Sequence, residues 1–161
     1  MLKYADRYYG SSTVAEAWDE FSLWSDVPLD PESEPEVESA FIPWFVFNWV
    51  PGNAEVGEAE HLREMPIALH YLEHEQSRID FFHRRFIEAI CSQPYSFFVV
   101  TDLDPGNGMT LKDLFLSGET YVHERQAKAM LAKGSIIYSR IIDMDGDAIM
   151  VGCASTVIPS A

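Results

Sequence analysis

Near Pro94 the apolar residues of this chain change period, from the three-and-four spacing of helices to the alternation of strands. That switch constrains the fold more than any bulk property, because it segregates helices and strands along the chain. The expected class is α+β, with a helical N-terminal half packed on a small antiparallel β-sheet or barrel-like C-terminal half. The expected organisation is a helical region over 1–93 and a β-rich region over 94–161, together one compact unit.

Within the helical half, Thr13 and Glu16 fit a capping box, and Val14, Ala17, Trp18, Phe21 and Trp24 recur at helical spacing. This predicts a helix from about 13 to 23. Residues 25–35 follow as an acidic, proline-bearing connector. From Pro35 onward, Glu36 and Glu38 suit a first helical turn, where carboxylates favour the dipole. Trp44, Phe45, Phe47 and Trp49 supply apolar bulk, while Pro43 permits a kink or a later helix start. The simplest role for this aromatic stretch is core, and a partner groove is the alternative. Residues 66–74 read as another helix. Ser77 and Asp80 resemble a second cap, and Ile79, Phe82, Phe86, Ile87 and Ile90 form an apolar stripe.

Beyond Pro94, residues 96–101 and 119–124 read as strands, and residues 110–115 as a strand or a short helix. Residues 136–142 and 148–157 are also β-rich, with a strong hairpin signal at Asp145-Gly146. Short strands joined by glycine-bearing turns suggest a compact barrel or a curled sheet.

The hydrophobic fraction of 47% is ample for a core, so the charge has to be explained at the surface. Twenty-six acidic residues against eleven basic ones give a formal net charge of −15. Thirteen of the acids and only two of the bases fall in the first 60 residues. That field disfavours direct binding of nucleic acid or anionic membrane and favours a protein partner with a basic surface. Solubility alone would also account for it. The carboxylates at Asp30, Glu32, Glu34, Glu36 and Glu38 are the candidate partner-binding residues. No apolar run is long enough to span a bilayer, and the first residues lack the apolar region of a signal peptide, so the cytoplasm is the expected compartment.

Residues that could carry chemistry are few. His70 and His74 stand at i and i+4 on a predicted helix, which places both imidazoles on one face as a divalent metal site requires. His61 and His83 lie nearby in sequence. Tyr71 follows His70 where a zinc protease helix would need Glu. Asp102 to Asp113 and Asp143 to Asp147 are acidic turns, and neither completes an EF-hand, which needs Gly at its sixth position and Glu at its twelfth. Asp113, Glu119, His123, Glu124 and Arg125 form a polar cluster that could line a cleft. Cys91 and Cys153 match no metal spacing and read as buried free thiols. No nucleophile elbow or nucleotide-binding glycine pattern is present. No catalytic residue and no cofactor is therefore assigned.

The segments WDEF at Trp18–Phe21, FIPWFVFNW at Phe41–Trp49, PIALHYL at Pro66–Leu72 and PYSFFVVTDLDPGNGMTLKDLF at Pro94–Phe115 occur in this order, followed by SGETYVHER and KGSIIYSRI. With these motifs the chain resembles a group of uncharacterised bacterial proteins that often carry a SEC-C zinc-binding motif. Closely spaced SEC-C cysteines are absent here, so no zinc ligand carries over. The resemblance implies a binding or adaptor role and no established reaction. The leading expectation is thus a non-catalytic interaction domain showing an acidic surface to a basic partner. The alternatives are a nucleic-acid mimic that inhibits a nucleic-acid-handling protein, and a metal-dependent enzyme using His70 and His74.

Overall fold

The structure, a computed structural model, describes residues 1–22, 35–51, 65–124 and 131–159. Its helices lie in the N-terminal half and its strands in the C-terminal half, so the class is α+β. Two compact units, Met1–Cys91 and Ser92–Ala161, divide the chain.

The first unit contains α1 (Leu2–Tyr9), α2 (Thr13–Phe21), α3 (Pro35–Phe47), α4 (Ile67–His74) and α5 (Phe81–Ser92) as far as Cys91, with a 3₁₀ turn at Gln76–Arg78. Its core is aromatic. Phe41 and Phe45 are fully buried on α3, and Trp18 of α2 meets Phe41 edge-on at 5.1 Å. Phe45 stacks on Phe41 at 5.8 Å and lies 5.6 Å from Trp49, whose indole N–H donates to the Glu20 carboxylate at 3.0 Å. The aromatic stretch is therefore core, and the one polar atom of Trp49 is satisfied within it. Pro43 sits inside α3, where it supplies no N–H to the turn before it, yet the helix continues to Phe47 because its ring-bearing faces are packed.

Two local features differ from the sequence expectations. The helix α1 was not anticipated, although Tyr4, Ala5, Tyr8 and Tyr9 carry the i, i+1, i+4, i+5 spacing of a buried helical stripe. At the start of α2 the capping box does not form: the cap position is Ser12, without a side-chain bond, and Thr13 instead donates its hydroxyl to the Tyr9 carbonyl at 2.8 Å. That bond ties the last turn of α1 to the first turn of α2 across the left-handed Gly10 (φ 91°). The second cap is real but belongs to Asp80 alone, whose carboxylate accepts the His83 N–H at 3.0 Å.

The second unit is a closed five-stranded barrel of β1 (Ser96–Asp104), β2 (Gly108–Asp113), β3 (Glu119–His123), β4 (Ile136–Met144) and β5 (Asp147–Ile158). Around the barrel the order is β1-β2-β3-β5-β4, with β4 pairing back onto β1. All pairings are antiparallel except β3 with β5, which is parallel at Val122 and Ala148. Register shifts between Val100 and Asp102 on β1, and around Ser139 on β4, give those long strands the curvature that closure needs. Inward-facing Phe98, Val100, Met109, Leu111, Val122 and Ile137 fill the interior. The Asp145-Gly146 hairpin forms as its sequence predicts, with both residues at positive φ (60° and 94°). No helix among the described residues is long and apolar enough to cross a membrane.

Candidate functional site: an apolar shelf beside an acidic barrel end

The pleat of β1 and β4 places Phe97 and Tyr138 opposite each other on the outer face of the barrel, with ring centroids 4.9 Å apart. Tyr95 stacks on Tyr138 at 5.2 Å, and the Arg140 guanidinium lies 4.4 Å over the Tyr95 ring. Phe115, from the loop joining β2 to β3, meets Phe97 edge-on at 6.0 Å. The loop residues Leu114, Phe115 and Leu116 are 47%, 74% and 57% exposed. Phe97, Tyr138, Leu114, Phe115 and Leu116 thus make an apolar shelf facing solvent, whereas Arg140 is fully buried.

Asp113 holds that loop in place. Its Oδ1 accepts hydrogen bonds from the Phe115 and Leu116 N–H groups, both at 2.8 Å, and from the Ser96 hydroxyl at 2.9 Å. Partial burial alone would raise its pKa, but the Leu116 and Phe115 amides and the Ser96 hydroxyl outweigh it and hold the carboxyl below the ordinary aspartate value. A folded-state pKa below the unfolded one contributes stability above the unfolded pKa, and that stability is lost as pH falls through the folded value. Asp113→Ala is therefore expected to cost roughly 1–2 kcal/mol at neutral pH and to flatten the acid limb of stability below pH 4 (urea titrations at a series of pH values). A variant whose acid limb matches the parent's would show that this carboxylate does not order the loop.

Beside the shelf, one end of the barrel opens into a cavity of about 260 Å³. Phe98, Leu111 and Ala148 form its apolar floor, and Asp113, Glu119 and Asp143 stand at its rim. Among the described residues that line it, none is basic. Asp143 also accepts the Gly146 N–H at 3.1 Å, and Glu119 accepts the Thr101 hydroxyl, so each carboxylate is positioned by a bond within the barrel.

The sequence-derived candidates fall in different places. His70 and His74 do share one face of α4, with ring centroids 6.0 Å apart. His70 is buried, however, and its Nδ1 is 2.8 Å from the Tyr9 hydroxyl and 3.1 Å from that of Tyr4, while His74 pairs through Nε2 with Tyr8. Burial pushes the Tyr9 phenol up to about 12 and raises that of Tyr4 as well, so the two hydroxyls against His70 stay protonated at any ordinary pH. No cluster of three or more His, Cys, Asp or Glu suited to a metal ion occurs among the described residues. His83 bonds Asp80, and His61 lies outside the described residues.

Glu36 and Glu38 lie in the first turn of α3, and their side chains are outside what the structure describes; Asp30, Glu32 and Glu34 lie outside the described residues altogether. Of the polar cluster, Asp113 and Glu119 meet at the barrel end. His123 is at the far end of β3, opposite Gly108, and Glu124 bonds the Asn107 carbonyl through its N–H. Arg125 is outside the described residues. The acidic turns are hairpins: Asn107 donates to Asp104 across the first, and β2 carries Asp113 away from it. Neither cysteine forms a disulfide, and both are only partly buried where buried thiols were expected.

Sequence reasoning missed the shelf because residues 110–115 read as a strand or a short helix, which leaves no loop at Leu114 and Phe115. The available signal was its position directly before Ser117-Gly118, where a hairpin loop would ordinarily be polar. No family model, no curated protein and no solved structure matches this chain, so the likeness to proteins with a SEC-C motif rests on the quoted motifs.

Proposed function

We propose that this protein is a non-catalytic interaction domain whose barrel binds a basic protein partner through the apolar shelf and the acidic rim beside it. The observation that carries this reading is the Leu114–Leu116 loop. Three large apolar side chains are kept in water by hydrogen bonds to Asp113 rather than folded onto the barrel. Apolar patches maintained in this way mark contact surfaces. The neighbouring carboxylates Asp113, Glu119 and Asp143 favour cations at the edge of the contact and discourage anions.

Five-stranded Greek-key barrels of the OB type often bind oligonucleotides on strands 2 and 3 and on the β1–β2 and β4–β5 loops. Here Asp104 ends β1 at the first of these loops, and Asp143, Asp145 and Asp147 stand in and beside the second, where they repel a phosphate backbone. These carboxylates support the protein-partner reading over nucleic-acid binding.

The test is binding of a labelled amphipathic lysine–leucine peptide, followed by fluorescence anisotropy at low and high salt. Parent protein should bind at low salt, Phe115→Asp should weaken binding at least ~10-fold, and rising salt should weaken it further. Equal binding by parent and variant, or binding indifferent to salt, would sink the proposal.

A further inference from the structure

The first unit carries a second exposed apolar surface. Phe81 and Phe82, at the start of α5, are 73% and 57% exposed. Phe82 stacks on Phe86 one turn later at 6.5 Å, and the Arg85 guanidinium lies 5.6 Å over the Phe81 ring. Local structure does not require the two phenylalanines. The Asp80 cap fixes the helix start through its own carboxylate, and the first helical turn is usually polar.

This surface differs from the shelf in its charge. Three of the chain's eleven basic residues, Arg78, Arg84 and Arg85, fall within positions 78–85, against one acid, Asp80. With Glu75 and Glu88, which pair with two of these arginines, the surface is close to neutral in a chain of net charge −15. Arg78 pairs with Glu75 at 3.1 Å and Arg84 with Glu88 at 4.0 Å. Such partly exposed i,i+3 and i,i+4 pairs contribute little to stability. The chain thus displays an aromatic surface with arginines on α5 and an aromatic surface with carboxylates on the barrel.

We infer that the partner of the barrel shelf is the α5 surface of a second copy of this chain. The inference rests on the preceding reading of the shelf as a contact surface and names its occupant. Phe81 and Phe82 would lie against Phe97, Phe115 and Leu116, with the arginines meeting the carboxylates at the barrel end. The two surfaces are unlike, so each contact joins an α5 to a barrel, and a second such contact forms only where symmetry allows it. The overall negative charge opposes association at long range. At ~0.15 M salt the Debye length is about 8 Å, so that repulsion is screened while apolar contact and adjacent ion pairs persist.

Two single-surface variants of the full chain test this, Phe82→Asp and Phe115→Asp, both at exposed positions and both checked for folding by circular dichroism. Sedimentation velocity covers roughly 10 to 500 µM chain, bracketing the weak affinities of contacts that bury under ~1,200 Å². The parent should shift from monomer to larger species across this range, and each variant alone should stay monomeric. An equimolar mixture of the two should form a 1:1 heterodimer, because one intact α5 and one intact shelf remain. Phe81→Ser serves as a second α5 variant should Phe82→Asp fail to fold.

A parent that stays monomeric throughout, or a mixture that stays monomeric while the parent associates, overturns the inference. Association lost in Phe115→Asp but retained in Phe82→Asp also overturns it, since the shelf would then pair with itself or with another surface. A monomeric parent that still binds the lysine–leucine peptide through the shelf would leave the preceding reading standing and remove only this one.

Discussion

Phe41→Ala is expected to destabilise the helical unit by about 3–5 kcal/mol. Phe41 is fully buried, meets Trp18 edge-on and stacks on Phe45, and it lies 5.4 Å from Phe21. Removing the ring takes away its transfer free energy and leaves a void walled by rigid aromatic groups that cannot collapse into it. All four tryptophans, at 18, 24, 44 and 49, belong to this half of the chain. Tryptophan fluorescence during urea titration therefore reports this unit selectively. A loss under ~1 kcal/mol would show that the aromatic cluster is not the packed centre of the unit.

The second large effect concerns the barrel. Gly108→Ala is expected to cost about 1–3 kcal/mol. In an unstrained strand, replacing Gly by Ala removes unfolded-state freedom and adds roughly 0.4–1 kcal/mol of stability. Gly108 opens β2 opposite His123, and a Cβ there would run into the Val122 carbonyl, with the Tyr121 hydroxyl 2.8 Å away. The tyrosine can turn aside, but the carbonyl is backbone of β3 and moves only if the β2–β3 pair spreads. Far-UV circular dichroism with urea reads the change, and a neutral or stabilising result would show that the two strands do not approach so closely. Phe115→Ala on the shelf makes the natural control, since an exposed ring contributes within ~0.5 kcal/mol.

Most of the architecture could be read from the sequence because it depends on patterns that survive without tertiary information. The strand β3 announced itself by alternation, β1, β4 and β5 by runs of β-favouring residues, and the Asp145-Gly146 turn by the two positive φ values it requires. The aromatic run through Phe41, Phe45 and Trp49 read correctly as core, since so much ring surface has no better place than an interior. The helix α1 escaped notice because its stripe is made of tyrosines, which are amphipathic and score poorly as apolar periodicity. Its place is set by burying those rings against α4, with their hydroxyls turned to His70 and His74.

The chemistry divides along the same line. By itself the sequence determined the α+β class, the position of the helix-to-strand change, the acidity, and the shared helical face of His70 and His74. Each follows from local spacing or from a count. Only the tertiary structure decided what those groups meet. It set tyrosine hydroxyls against both imidazoles, carried Asp113 and Glu119 to one end of the barrel while leaving His123 at the other, and turned Leu114–Leu116 outward instead of inward. These outcomes depend on barrel closure and on side-chain hydrogen bonds between residues far apart in the chain, for which no local pattern exists.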